Sequence, residues 1–563
     1  MIHPKIIILM CFLMPFSIAQ LADKKVVCYY TDWSVYRPDS AQFWPRDINP
    51  NICTHLIYAF AKFSDDGGIA AFDEWQDITR NGFRDFNEVK ALNENVKTLL
   101  AIGGWIEGSK TFSRIAAMSE RREKFADSVV MFLRKHNFDG INLDWQFPGF
   151  REGSREEDFD NYVALVKDLR ETFENESMRT NMPRLIVTLS VPSDLEYIEN
   201  GYDLVNLQRY ADFINILCYD YHLSYDPFVN HHSPLYALPE ETGSHPNSNL
   251  NVESTIKYLL EKGVRKDILN LGIPTFGRTF ILEDPNNNGL GAPASGQGQE
   301  GEATRTKGYK AYYEICREIK EDNWTVVYVN RTAMGPYAYK DKNWVGFDDE
   351  FIVRKKAEYA RDIGLGGIMF WTIDDDDFRG VCGSRGNPLI KAGREAFLAP
   401  GPSMPLPTPR GTVPPMMTPR GTKPPVIMPP VVRPSPIMPP AAPPSPMMPP
   451  VSRPVRPPAA TSPPKAAQPP VANPIPNFPG FPTFGDFPFP PAASPPVASP
   501  PAASPPVASP PAVSPPLGSP PSSGNPIRPI HVSNERHEGG VTYYQNITLW
   551  IINNIFNFNF PSN

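Results

Sequence analysis

The chain has 563 residues, with 54 basic and 61 acidic side chains and a formal net charge of −7. Of its 67 prolines, 49 fall between Pro400 and Pro529, so about 38 % of that 130-residue stretch is proline, a composition that excludes a buried core there. Beyond residue 400 nine Lys/Arg face three Asp/Glu, which leaves the first 400 residues at −13 and argues against a nucleic-acid enzyme.

In chain order, residues 1–19 read as a secretory signal. Lys5 supplies the positive start, Ile6 to Phe16 is almost wholly apolar, and Ser17-Ile18-Ala19 is a small-residue cleavage site. That run is too short to span a bilayer, and no other segment reaches 18 consecutive apolar residues. The expectation is a secreted, extracellular protein without a membrane span. Cys11 leaves with the signal. Five cysteines remain (Cys28, Cys53, Cys218, Cys316 and Cys382), an odd number, so at least one thiol is free or pairs between chains. Asn175, Asn323, Asn330 and Asn546 each open a glycosylation sequon.

Eight short, near-continuous apolar runs follow: Val26–Tyr30, His55–Phe60, Thr98–Ile102, Gly140–Leu143, Leu185–Leu189, Phe213–Tyr219, Leu269–Pro274 and Gly367–Trp371. Such runs suit parallel strands buried on both faces. Amphipathic stretches such as Arg121–Lys135 and Asp158–Thr172 lie between them. The pattern predicts an α/β fold, a (β/α)8 TIM barrel over residues 24–398. A doubly wound sheet is the rival, and the count of eight favours the barrel. The interval between Pro274 and Gly367 is too long for one crossover. It holds a helix-like piece, Lys310–Ile319, and a strand-like piece, Thr325–Val329, so residues 282–347 are expected to form a small α+β insertion raising one wall of the mouth.

Residues 399–530 read as a disordered, Pro-rich low-complexity tail. Thr408-Pro-Arg-Gly-Thr recurs at Thr418, and Ser494, Ser499, Ser504, Ser509, Ser514 and Ser519 each precede Pro-Pro. This favours extended polyproline II, either a passive linker or an arm towards extracellular matrix. Residues 531–563 form a C-terminal segment.

The chemistry concentrates in Phe138-Asp139-Gly140-Ile141-Asn142-Leu143-Asp144-Trp145-Gln146-Phe147-Pro148. On a strand, alternation sends residues 142, 144 and 146 to one face and 141, 143 and 145 to the other. Polar groups inside a barrel are costly unless partnered or functional. A hydrogen-bonded polar plug is the bland alternative.

This segment resembles the Asp-Gly-x-Asp-x-Asp-x-Glu signature of glycoside hydrolase family 18, the chitinases and chitinase-like lectins. Further ordered motifs carry the likeness from about Lys25 to Phe397: Cys28-Tyr29-Tyr30-Thr31-Asp32-Trp33, Thr54–Phe60, Leu100-Ala101-Ile102-Gly103-Gly104-Trp105, Leu217-Cys218-Tyr219-Asp220, Gly272–Arg278 and Gly366–Trp371. The resemblance implies a chitin or chito-oligosaccharide partner and substrate-assisted hydrolysis, in which a Glu at 146 protonates the glycosidic oxygen while residue 144 orients the N-acetyl group. Here position 146 is Gln, whose amide has no proton to transfer near neutral pH. The motif Asp139, Asn142, Asp144, Gln146 is therefore degenerate and leaves no intact catalytic set. Asn142 stands where the family usually has Asp. Glu152, Asp220 or Asp374 could stand in as an acid.

By the same resemblance Tyr29, Trp33, Phe60, Trp105, Asp144, Gln146, Tyr219, Asp220, Arg278, Met369 and Trp371 bind sugar, with Trp371 as the floor. Ile106, Leu223 and Tyr225 depart from the family pattern on the reducing-end side. The implied disulfides are Cys28–Cys53 and Cys316–Cys382, with Cys218 left over. No metal or cofactor is expected: His222 reads as a satisfied side chain and Asp374–Asp377 as a solvated loop. The function expected is a sugar-binding protein on a chitinase scaffold, inactive or nearly so. A weakly active endochitinase and a growth-factor-like or structural protein without sugar binding are the alternatives.

Overall fold

Eight parallel strands close on themselves in the computed structural model, which describes residues 24–401 apart from Ser244 and Ser384. The signal stretch, the Pro-rich tail, the C-terminal segment and Asn546 lie outside the described residues. The barrel strands are β1 Lys25–Thr31, β2 His55–Phe63, β3 Lys97–Gly103, β4 Gly140–Asp144, β5 Ile186–Pro192, β6 Phe213–Leu217, β7 Leu269–Pro274 and β8 Gly367–Trp371. Each pairs with the next, and β8 pairs with β1 to close the circle. These are the eight strands expected from the apolar runs.

Alternation along the strands builds two cores. Val27, Tyr29, Ile57, Ala59, Leu99, Ala101, Phe213 and Met369 pack together inside the barrel. Val26, Tyr30, Leu56, Tyr58, Leu100, Ile141, Leu143 and Trp145 belong to the outer core, which the helices cover. The helix Ser119–Lys135 buries Phe125, Ala126, Val129 and Leu133, and Asp158–Thr180 buries Tyr162, Leu165, Val166, Leu169 and Phe173. These spacings put one stripe of each helix on the sheet.

The insertion is an antiparallel sheet beside the helix Tyr312–Glu321. Its central strand, Phe276–Leu282, pairs with Asn343–Phe347, Ala294–Gln297 and Tyr309–Ala311. The sheet thus begins upstream of the 282 boundary read from the sequence, and Thr275 alone separates it from β7. The Thr275 hydroxyl donates to the Thr372 carbonyl (2.7 Å) and accepts from the Thr372 N–H (2.7 Å), stitching the insertion's root to the end of β8.

Cys28 pairs with Cys53 and Cys316 with Cys382, while Cys218 is a buried free thiol. The acidic run corrects the sequence reading. Asp374 to Asp377 are all buried rather than solvated. Asp374 accepts from Thr31 N–H (3.0 Å), Thr31 Oγ1 (2.7 Å) and Arg37 Nη2 (2.7 Å). Asp375 accepts from Arg37 (2.7 Å) and the Tyr309 hydroxyl. Asp376 takes the Ile390 N–H (3.0 Å) at the start of the helix Pro388–Leu398, and Asp377 takes the N–H groups of Val381 and Cys382. Backbone donors and one arginine offset the desolvation that a run of aspartates otherwise suffers.

Two stability predictions follow from these ties. Arg37→Ala leaves two buried carboxylates without their cation and is expected to cost about 3–5 kcal/mol in urea unfolding. Replacing Cys28 and Cys53 together by Ala is expected to cost about 3 kcal/mol by loop-closure entropy, with the other disulfide intact.

Candidate functional site

The site is built at the C-terminal ends of the barrel strands, around the end of β4. Asn142 and Asp144 point into the barrel, while Ile141, Leu143 and Trp145 join the outer core. Asn142 Oδ1 accepts from the Tyr29 hydroxyl (3.0 Å) and Ser190 Oγ (3.0 Å), and its Nδ2 donates to Thr188 Oγ1 (3.0 Å). Asn215 Nδ2 donates to the Tyr29 oxygen (3.2 Å), and Asn270 Nδ2 to Asn215 Oδ1 (3.0 Å). Asn142 therefore belongs to an uncharged hydrogen-bonded plug across the barrel.

Asp144 sits above the plug, 3 % exposed. Gln146 Nε2 lies 3.1 Å from each of its carboxylate oxygens. Burial lifts the Asp144 carboxyl to about 7, against the opposing pull of the Gln146 amide. Asp139 lies elsewhere. It precedes β4 and accepts from the Thr98 N–H (2.8 Å) and Lys90 Nζ (3.2 Å), a clamp at the strand's start rather than part of the pocket.

Two glycines bring the β3 exit loop against this centre. Gly103 has φ +116°, and a Cβ there would meet the Asp144 carbonyl oxygen at 2.2 Å. Gly104 has φ +77°, and its Cβ would meet the Phe60 ring at 2.8 Å. Only glycine fits both the space and the backbone conformation. Trp105 follows immediately and is 47 % exposed.

On the other side, Arg278 from the insertion's central strand makes two 2.7 Å hydrogen bonds to the two oxygens of Asp220. Burial by itself would raise the Asp220 carboxyl, but Arg278 and then His232 hold it well below the usual carboxylate range. Asp220 is thus a fixed anion with no proton to give. Asp374 is locked to Thr31 and Arg37, and Glu152 is exposed on a loop. Among the described residues, Asp144 is the carboxylate bonded to the Gln146 side chain.

The aromatic residues form a row. Tyr29 and Trp371 have ring centroids 5.2 Å apart, Phe60 and Trp371 6.1 Å, and Trp33 and Phe60 6.3 Å with planes within 15°. Trp33, Phe60 and Trp371 are half-buried. Met369 and Tyr219 are instead buried in the inner core, Tyr219 edge-on to Phe276 (5.6 Å). Beyond the reading from sequence, Tyr36 lies three residues from Trp33 in the 3-10 helix Asp32–Tyr36 and stacks on the exposed Trp75 at 6.2 Å. Side chains three apart in such a turn share a face, so the spacing alone could have flagged Tyr36. His232, adjacent to a second buried His231, carried no local signal. Ile106 and Tyr225 are exposed, and His222 is buried with Asp226 at 3.4 Å.

Among the described residues, the one grouping with metal-ligand spacing is Cys316, Asp377 and Cys382, and its two sulfurs are bonded to each other. No described helix is long and apolar enough to cross a membrane.

The family profile of the glycosyl hydrolases family 18 matches residues 25–376. The chain belongs to glycosyl hydrolase family 18. It is 38 % identical over 392 residues to chitotriosidase-1 of Mus musculus, covering 69 % of this chain and 82 % of that protein. It is 38 % identical over 388 residues to the oviduct-specific glycoprotein of Mus musculus, covering 68 % of this chain and 52 % of the relative. Among solved structures, human YKL-39 superposes with a TM-score of 0.62 at 34 % identity, covering 67 % of this chain and 100 % of that one. YKL-39 is described as a pseudo-chitinase with retained chitooligosaccharide binding.

The raised Asp144 carboxyl has a testable sign. Below about pH 4 folded and unfolded states both hold the proton; between that and about 7 only the folded state keeps it. Stability therefore falls as pH rises through this window, and the cost is complete above it. Asp144→Asn is expected to be more stable than wild type at about pH 8, with the difference shrinking by up to about 4 kcal/mol towards pH 4 in thermal unfolding.

Proposed function

We propose that this family 18 member is a secreted protein that binds chitin or chito-oligosaccharides and hydrolyses them negligibly. One observation carries the reading: a carboxamide at 146 donates to the buried Asp144, where the family's chemistry uses an acid. A Gln amide hydrogen-bonds but transfers no proton near neutral pH, and general acid catalysis is worth about 10²–10⁴-fold. The half-buried row of Trp33, Phe60 and Trp371 supports retained sugar contact, because flat aromatic faces suit sugar C–H faces. The relation to YKL-39 points the same way. Secretion rests on the signal-like residues 1–19, and sugars at the exposed Asn175 and Asn323 or at Asn330 suit an extracellular route. The Pro-rich tail serves as a spacer towards matrix components.

The test is parallel measurement of chitin-bead binding and release of labelled sugar. Wild type is expected to bind and release nothing above background. Trp371→Ala should weaken binding at least about ten-fold, the loss of one half-buried aromatic platform. Gln146→Glu should gain turnover on chromogenic chito-oligomers. Steady hydrolysis by wild type, equal to that of Gln146→Glu, would mean that another acid works. Failure of wild type to bind any chito-oligomer would favour a structural or growth-factor-like protein, a reading in line with the exposed Ile106 and Tyr225.

A further inference from the structure

Two arginines pack on one indole in the loops that follow β1 and β2. The Arg46 guanidinium carbon lies 5.1 Å from the Trp44 ring centroid and that of Arg80 5.6 Å, so the two charges are no further apart than those distances laid end to end. Arg80 also lies 5.1 Å from the centroid of Trp75, which stacks on Tyr36 at 6.2 Å. Guanidinium and ring thus alternate from Arg46 through Trp44 and Arg80 to Trp75. The run ends at Tyr36, in the same 3-10 helix as Trp33. Arg46, Arg80 and Trp75 are exposed, and Trp44 and Tyr36 are half-buried.

No carboxylate answers these two charges. Among the described residues, neither Arg46 nor Arg80 has an acidic oxygen within ion-pair distance, and neither guanidinium donates to a protein acceptor. The acids of the same loops are turned elsewhere. Asp47 accepts the Trp44 N–H (2.9 Å) and faces Arg379 (3.7 Å). Asp73 accepts the Tyr36 hydroxyl (2.5 Å) and the N–H groups of Trp75 and Gln76. Asp77 is buried against the Tyr58 hydroxyl (2.6 Å). Glu74 is exposed beside Trp75 and pairs with neither arginine. In a chain whose first 400 residues carry −13, this is a local reversal of sign.

We propose that this run is a docking surface for a sulfated polysaccharide. Packing on the rings fixes where the guanidiniums sit while leaving their N–H edges to an anion. A sugar polymer fits the alternation better than an acidic peptide, because each repeat brings an apolar body together with its charge. Oxygen count favours sulfate over carboxylate: one bidentate fork occupies both oxygens of a carboxylate, whereas a sulfate ester offers three to two forks. The proposal does not depend on the chito-oligosaccharide reading.

The test is calorimetry of the full chain with a heparin octasaccharide at about 0.15 M salt, where exposed charges are already screened. The basic tail can hold a polyanion by itself, so the comparison is between variants. Arg46→Ala with Arg80→Ala should weaken binding at least about ten-fold and flatten its salt dependence. Trp44→Leu keeps both charges and should still weaken binding about three-fold. A hyaluronan octasaccharide, with carboxylates only, and polyglutamate of equal charge should bind more weakly and ignore Trp44→Leu. Heparin binding that is absent in wild type, or unchanged in the double variant or in Trp44→Leu, overturns the proposal. So does hyaluronan or polyglutamate that matches heparin with the same sensitivity to Trp44→Leu. Both arginines are exposed, so the melting temperature should hold; if it falls, Arg46→Gln with Arg80→Gln repeats the test with the side-chain stems kept over the rings.

Discussion

The chemistry at the barrel's mouth turns on two contacts from a single carboxamide. Gln146 Nε2 is equidistant from both oxygens of Asp144, a carboxyl buried among uncharged partners. An amide donates to such a group without supplying a transferable proton. Below Asp144, Tyr29, Asn142, Ser190 and Asn215 satisfy one another with neutral hydrogen bonds. Asp144 therefore meets its desolvation largely with Gln146, and its proton affinity rises. Asp220, just past the end of β6, is neutralised on the spot by Arg278. The barrel's mouth thus combines a hydrogen-bonding centre, a paired charge and an aromatic row, the inventory on which the proposed sugar binding rests.

That inventory depends on how the ends of the strands are held. Arg37 reaches from the loop after β1 to Asp374 and Asp375 after β8, and Asp374 also grips Thr31. This knot lies one residue from Tyr36 and three from Trp371, so buried ion pairing anchors the chain on either side of the aromatic row. A buried pair of this kind is costly to break, and its value here is geometric placement.

Much of this was legible in the residues. Continuous apolar runs announced eight parallel strands because strands covered on both faces leave no polar alternation. The β4 segment announced its inward residues because its period is two. Other features were hidden for physical reasons. Asp374–Asp377 looks like a solvated loop in a linear reading, since the donors that bury it come from residues as distant as Thr31, Arg37 and Ile390. Met369 and Tyr219 share the inner core with Tyr29, against which Phe60 and Trp371 pack, a depth that a linear motif does not give. The insertion's true start was masked because nothing longer than Thr275 separates the end of β7 from Phe276, where the chain changes sheets.

That change of sheet at a single residue has a mechanical corollary. The insertion's first strand leaves the barrel with no slack, and the threonine at the junction is tied to the end of β8 by both its hydroxyl hydrogen and its oxygen. Arg278, and through it Asp220, ride on that same strand. A parapet joined to its floor in this way has no joint to swing on. The wall takes its bearing from the floor it springs from, and the paired charge it carries is in place as soon as the barrel has closed.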